Sequence, residues 1–257
     1  MSEVIRCIIC DSNKTKFNKA TIAEFIRKRC EIKESQTKSI FCLECTFVFF
    51  ERRLSEIEVQ KLYANYRGND YNKLRLKVEP SYVEYIKMFD DKYSAYWVGR
   101  TNEILEEIRK INQMSAVDVL DFGGDGMIPA RIIPGANISI DYPAHGTTVG
   151  SDSKYDLIFA SEVFEHLSNP NFHISALSKK LKPTGFLIID VPMEYTGAIK
   201  QEWDKQCFEN QGSLITMHEH INHFSIESMK TLVAKNNLKL ISIKITPLNF
   251  LIAICGV

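Results

Sequence analysis

The sequence predicts an α/β fold: a parallel sheet flanked by helices, with a small cysteine-rich module ahead of it. Three observations carry that expectation. From about residue 113 onward, short apolar runs alternate with helix-like stretches, the pattern of a parallel sheet with crossover helices. The first of these runs empties into a cluster of glycines, Gly123, Gly124 and Gly126. Upstream, residues 1–50 hold five of the seven cysteines, four of them paired as Cys7-x-x-Cys10 and Cys42-x-x-Cys45.

Composition narrows the class. A chain of 257 residues has room for one full α/β domain and a small appendage. Its 32 basic and 32 acidic residues cancel. A duplex-binding surface needs a basic excess or stripe, so nucleic acid is not expected as a partner. No apolar run approaches the roughly 20 residues that span a bilayer. The short apolar opening is interrupted by Arg6, unlike a secretory leader, so a cytoplasmic protein without a membrane partner is expected. An odd number of cysteines in such a chain argues against a disulfide framework.

Taken in order, the first zone (1–50) is expected to be a metal-binding module. Two C-x-x-C knuckles can bend round one tetrahedral Zn2+, and four thiolates, from Cys7, Cys10, Cys42 and Cys45, close its shell. A closed shell is structural, and its binding energy helps fold a segment too small for its own core. The long gap between the knuckles is expected to hold a helix over Lys19–Arg29. The second zone (51–112) is charged, tyrosine-rich and helix-like. Packing of Tyr82, Tyr85 and Tyr93 against the sheet is expected. Tyr63, Tyr66 and Tyr71, beside Arg67, suit a substrate loop better.

The third zone (113–257) is the sheet. Ala116–Phe122, Asn137–Asp141, Tyr155–Ser161 and Phe186–Val191 read as strands, the third apolar enough to be buried on both faces. Asn171–Leu181 reads as a helix stopped by Pro183 and Gly185. Ser225 is a suitable N-cap for a helix over Ser225–Asn236, with Glu227 in its first turn. Leu238–Thr246 and Asn249–Cys255 read as terminal strands on either side of Pro247.

Within Val119–Gly126 (VLDFGGDG), a strand enters glycines and then a helix, which lets backbone approach a ligand closely. Asp141, about 20 residues beyond Asp121, closes the next strand, where an acid can accept both ribose hydroxyls of an adenosine. The acids that bracket the turn suit a cationic sulfonium better than a pyrophosphate.

VLDFGGDG, NISID, YDLIFASEVFEHLSNP and LKPTGFLIIDVP, in that order, resemble the successive motifs of class I S-adenosylmethionine-dependent methyltransferases. The resemblance implies a Rossmann-like sheet. It places Gly123 and Gly124 at the methionine part of the cofactor, Asp141 on its ribose, and Ser161 and Glu162 along the methyl-transfer face, with Asp121 a further cofactor-binding residue at the turn's entrance. DFGGDG is one residue shorter than the family's D-x-G-x-G-x-G, so a different loop shape is expected there.

The N-terminal knuckles with FCLECTFVFFERRLSEIEVQKLYANYRGNDY, and the later HEHINHFS, resemble nucleotide-sugar C-methyltransferases, which carry a zinc module ahead of the cofactor domain. That resemblance implies Glu219 as an orienting carboxylate and His220 as the base. His166, in EVFEHL just past a strand end, is a second candidate. His145 follows the ribose acid, and His173 falls in the first turn of a helix. A metal site made of His218, His220 and His223 is disfavoured, because that spacing suits no helix face. The resembled family has a further C-terminal domain, whereas this chain stops at Val257 just after its last strand. The expected activity is therefore O-methylation of a small sugar or phosphate-type precursor of a surface polysaccharide, such as a capsule. C-methylation of a nucleotide sugar is the alternative, and a zinc-stabilised scaffold that binds the cofactor without turnover is a third reading.

Overall fold

The structure is a computed structural model that describes residues 5–91, 94–111, 115, 118–143, 153–193 and 215–257. Two sheets organise these residues. The first begins with β1 (Thr15–Ile22), which pairs antiparallel with β2 (Gln36–Cys42), itself paired with β3 (Val48–Phe50). The helix expected over Lys19–Arg29 is corrected here. Residues up to Ile22 are strand, and helix α1 covers only Glu24–Cys30. Apolar spacing over that stretch fits both periods; the ladder from Thr15↔Cys42 to Thr21↔Gln36 decides it, because it satisfies the backbone before a helix can start.

This sheet is completed from far along the chain. β8 (Ile215–Met217) adds parallel to β1, and β9 (Asn222–His223) adds antiparallel to β3, giving the order β8-β1-β2-β3-β9. Residues 1–50 therefore share their sheet with residues 215–223.

Four helices follow: α2 (Glu56–Tyr63), α3 (Asn69–Val78), α4 (Tyr82–Asp90) and α5 (Ala95–Lys110). The start of α2 is a reciprocal capping box between Ser55 and Glu58, the S-x-x-E signature. Helices α1 to α4 share one core with Ala20, Ile22, Phe50, Met217 and Ile221. Tyr82 is buried as expected, but Tyr85 is exposed on α4 and stacks on Tyr82. Tyr93 and His145 lie outside the described residues.

The second sheet has the order β10-β11-β7-β6-β4-β5. It comprises β4 (Asp118–Phe122), β5 (Asn137–Asp141), β6 (Tyr155–Ser161), β7 (Leu181–Pro192), β10 (Lys239–Ile245) and β11 (Phe250–Gly256). Strands β5, β4, β6 and β7 are parallel, and β11 and β10 are antiparallel additions. Alternate residues serve opposite cores. Val119, Leu157, Phe159 and Ile188 pack with Ile104 and Ile108 of α5 and with α6 (Met127–Ile132). Leu120, Ile158, Ala160 and Ile189 pack on the other face with α7 (Pro170–Ser178), α8 (Ile226–Lys235) and the cysteine knuckles. Both faces of β6 are thus dry, which is why it reads as a continuous apolar run.

Ser225 caps α8 as expected, accepting from Ser228 N–H. The helix expected to reach Leu181 ends at Ser178, and Pro183 and Gly185 fall inside β7. There the register slips between Tyr155↔Leu181 and Leu157↔Phe186. A bulge accommodates the proline. It also brings Gly185 so close to the Tyr155 carbonyl that a Cβ would sit 2.6 Å from that oxygen.

Candidate active site

The first strand of the parallel sheet, β4, lies between β5 and β6, so chain direction across the sheet reverses beside it. In open α/β sheets the crevice at the carboxyl ends of strands at such a switch point is where ligands bind. Phe122 and Asp141 are register partners at the ends of β4 and β5. Asp141 is buried at the tip, and its carbonyl accepts the Gly123 N–H at 2.7 Å.

The turn itself is built on Asp121. This carboxylate is buried, and its Oδ2 accepts the Gly126 N–H at 2.7 Å. Burial pushes its pKa up to about 6, against the pull of the Gly126 N–H. Gly123 and Gly126 both have positive φ, 83° and 81°, which glycine adopts at little cost. Gly124 is required for a different reason: a Cβ there would lie 2.1 Å from Asp121 Oδ2. Because Gly126 pins that carboxylate, Gly124→Ala is expected to destabilise the protein by about 1–3 kcal/mol. Urea unfolding checks this, and an unchanged midpoint would show that Asp121 swings aside freely.

At the end of β6, Ser161 and Glu162 meet a residue that sequence patterning did not single out. Arg100, on α5, is 2% exposed. It donates to Ser161 Oγ at 2.8 Å, lies 2.7 Å from Glu162 Oε2, and pairs with the buried Asp190 of β7. Tyr96 O–H donates to the other Glu162 oxygen at 2.8 Å. Glu162 has φ 53°, a left-handed turn for a non-glycine residue at the strand tip. Burial opposes its ionisation, but Arg100, Tyr96 and the neighbouring imidazoles together hold its pKa below the usual carboxylate value.

Just beyond, Phe164–His166 forms a single 3-10 turn. The imidazole of His166 packs edge-on against His220, with ring centroids 4.7 Å apart, and against Tyr63 at 5.9 Å. Its Nδ1 donates to the Glu219 carbonyl at 2.9 Å, since a carbonyl can only accept. Burial, aided by repulsion from His220, lowers its pKa to about 4. Glu165 is 1% exposed, and burial raises its pKa to about 8.

His218, Glu219 and His220 fan in three directions. His218 Nε2 lies 2.9 Å from Glu79 Oε1. The Glu219 carboxylate takes the Tyr71 O–H on one oxygen and Arg75 Nη1 on the other at 2.7 Å. Despite burial, Arg75 and Tyr71 hold its pKa below the usual range. The expected role of Glu219 shifts accordingly: its carboxylate is anchored to α3, and its backbone carbonyl orients His166. His223 lies apart, against the Phe50 ring, and His173 packs on Phe122. Tyr63 and Tyr71, expected on a substrate loop, stand instead on α2 and α3, where Tyr63 packs against His166 and Tyr71 donates to Glu219.

The loop holding these residues spans β8 and β9, so the first sheet delivers it to the tips of the second. Two side chains fasten it. Asn222 Nδ2 donates to the Phe164 and Leu167 carbonyls at 2.9 and 2.8 Å. Arg53 donates to the Leu167 and Ile221 carbonyls and to Asn222 Oδ1.

The four knuckle cysteines converge as expected. Cys7 and Cys45 sulfurs are 3.6 Å apart, Cys10 and Cys42 sulfurs 3.4 Å, and all four lie within 4.8 Å of one another. These separations are too long for a disulfide, about 2.05 Å. They approach the edge of about 3.8 Å expected for a tetrahedron with Zn–S bonds of about 2.3 Å. The two knuckles match: Asp11 N–H bonds to the Cys7 carbonyl, Thr46 N–H to the Cys42 carbonyl, and Asp11 and Thr46 both have positive φ. The set fits a structural zinc.

A switch point in strand order, a glycine turn and a carboxylate at the next strand tip define a nucleotide-type cofactor domain. Residues 89–243, more than half of the chain, match the family model for a methyltransferase domain, and the chain belongs to that family. No curated protein matches it. Solved structures similar to it include the pyocyanin biosynthetic protein PhzM, at 13% identity over 76% of this chain and 61% of that one, with a TM-score of 0.44. Human N-acetylserotonin methyltransferase in complex with SAM is 12% identical over 80% and 64%, TM-score 0.44. Magnesium protoporphyrin IX methyltransferase from Synechocystis PCC 6803 with bound SAH is 11% identical over 73% and 98%, TM-score 0.46. The chain thus spans less than two thirds of the first two proteins. Among the described residues no helix is long and apolar enough to cross a membrane.

Proposed function

We propose that this protein transfers the methyl group of S-adenosylmethionine to an oxygen of a small sugar or phosphate-type precursor of a surface polysaccharide. One observation carries the reading: two separate chain segments bring imidazoles and carboxylates together just beyond β6, next to the strand tips that hold the glycine turn and Asp141. In this reading Gly123 and Gly124 receive the methionine part of the cofactor, on a turn shaped by Asp121. Asp141 accepts the ribose hydroxyls, and Ser161 and Glu162 line the methyl-transfer face. The cofactor already carries a strong leaving group, so the protein's task is to align the acceptor and manage its proton. His220 and His166 do the latter, with Glu219 orienting His166. Cys7, Cys10, Cys42 and Cys45 hold one structural Zn2+. The chain divides by role into a zinc-nucleated part (1–50), a helical connector (51–112) and a cofactor-binding part (113–257), which lends β8 and β9 to the first.

Calorimetry with S-adenosylmethionine, followed by release of S-adenosylhomocysteine against a panel of nucleotide sugars and polyol phosphates, tests this. Asp141→Ala is expected to weaken cofactor binding by about 1.5–3 kcal/mol, the worth of hydrogen bonds to a charged group. His220→Ala and His166→Ala are expected to slow turnover by about 10²–10⁴-fold with cofactor affinity retained. Full turnover in both histidine variants overturns the proton-handling assignment. Methylation at carbon of a nucleotide sugar selects the C-methyl reading, and tight binding with no turnover on any acceptor selects the scaffold.

A further inference from the structure

We infer that Glu165, His166 and His220 form a binding site for a divalent first-row cation, which chelates the acceptor through adjacent oxygens. One ligand atom from each residue lies within 4.8 Å of the others. Ligands about 2.1 Å from a shared ion stand roughly 3–4 Å apart, a closure that side-chain rotation supplies.

The carboxylate supplies an independent pointer. Glu165 is 1% exposed, and neither of its oxygens has a hydrogen-bond partner among the described residues. A buried carboxylate without partners is costly and uncommon. His166 Nε2 lies 3.9 Å from Oε1, beyond hydrogen-bond reach. Elsewhere in the same centre the carboxylates are satisfied: Glu162 by Tyr96 and Arg100, Glu219 by Tyr71 and Arg75.

The histidine is preset for ligation. Its Nδ1–H is committed to the Glu219 carbonyl at 2.9 Å, so the lone pair of the neutral ring is on Nε2, toward Glu165. A metal-binding imidazole is oriented by such an outer bond from its other nitrogen. The turn and the loop that carry the three ligands are also fixed to each other. Ile221 N–H donates to the Glu165 carbonyl at 2.9 Å, and Asn222 and Arg53 bridge the same segments. Two imidazoles and one carboxylate leave coordination positions open and suit Mn2+, Fe2+, Co2+ or Zn2+ better than Ca2+.

Binding of the ion stands on this geometry alone; its task rests on the methyl-transfer reading. An acceptor hydroxyl on the ion loses its proton to solvent water. The resulting oxygen forms a bond to the cofactor's methyl carbon as the carbon–sulfur bond breaks, leaving its electron pair on sulfur in S-adenosylhomocysteine. The two imidazoles thus manage that proton through the ion they hold, whose charge makes the bound hydroxyl more acidic. Chelation favours a substrate with vicinal hydroxyls or a hydroxyl beside a phosphate.

Mn2+ is the probe, because its preference for oxygen and nitrogen keeps it from the four thiolates. Titrating Mn2+ into the full-length zinc-loaded protein, followed by loss of the free-ion paramagnetic resonance signal, is expected to show one site per chain. Glu165→Gln, which keeps the side chain's shape, and His220→Asn, on the other segment, are each expected to weaken it about 10- to 100-fold. No Mn2+ binding, or binding unchanged in both variants, overturns the inference. Failure of the methyl-transfer reading looks different: Mn2+ binds and the variants lose it, yet no acceptor is methylated with or without the ion.

Discussion

Replacing Arg100 with methionine is expected to lower the unfolding free energy by about 3–5 kcal/mol, the cost of removing one partner from a buried ion pair. Arg100 and Asp190 are both nearly inaccessible, and the guanidinium also braces Ser161 and Glu162. Methionine fills similar volume, so lost packing, including the contact with the Phe250 ring at 4.4 Å, is the smaller part. The larger part is electrostatic. Burial, with a smaller push from Glu162, raises the Asp190 pKa above the usual carboxylate value, and Arg100, helped by Ser161, opposes that rise. Without the arginine, Asp190 must either stay charged and unpaired or take up a proton. The sign follows: in Arg100→Met the folded state holds a proton that the unfolded chain releases above its ordinary carboxylate pKa. Asp190 is raised even in the wild type, so within about pH 4 to 7 the variant's deficit should grow once pH passes that raised value. Arg100→Met with Asp190→Asn should keep only the slope from Glu162, whose pKa Arg100 also holds down. Urea unfolding across this range checks both, and a deficit under about 1 kcal/mol at pH 7, or equal slopes in the two variants, would show that water or another cation screens Asp190.

Arg100 also marks where sequence reading stops. The parallel strands were legible because burial on both faces leaves continuous apolar runs, and the turn was legible because glycines announce themselves. Arg100 sits in an amphipathic helix of mixed charge, where one more arginine is unremarkable; only the fold shows that it points inward at Asp190. The acid in FLIIDV was the available signal, since a carboxylate inside an apolar strand needs a partner from somewhere. Glu165 was hidden likewise. It stands next to His166 in a 3-10 turn, where neither helical nor strand period assigns a face. The histidines at 218, 220 and 223 face different partners: Glu79, His166 and the Phe50 ring. Proximity in sequence misled in another way, since the partner of His220 is His166, a long way back in the chain.

The first sheet was the least legible element. β8 has three residues and β9 two, too short for any period, and both are created by long-range pairing to β1 and β3. The stretch before α1 was ambiguous by composition and was settled by the β1–β2 ladder. Local pattern predicts elements that could form alone; these form only in company.

That dependence sets the second large effect. Cys42→Ser is expected to release the zinc assigned to the four cysteines and, with it, much of the order of β1, β2 and β8. Structural zinc contributes about 10–16 kcal/mol of apparent binding energy in zinc-finger peptides, more than the roughly 5–15 kcal/mol that keeps a whole domain folded. Because the Cys45 carbonyl and Thr46 contact Ser225, the cap of α8, loosening should reach the end of the HEH loop from that side too. On the proposed reading the cysteines take no part in the chemistry, so cofactor binding at the tips of β4 and β5 should outlast turnover, for which that reading requires His220 beside His166. Metal content by plasma mass spectrometry, hydrogen exchange at residues 215–223 and the two activities separate these steps. Zinc lost with full protection retained at 215–223 would mean that the sheet stands without its metal, and that the loop is positioned by Arg53 and Asn222 alone.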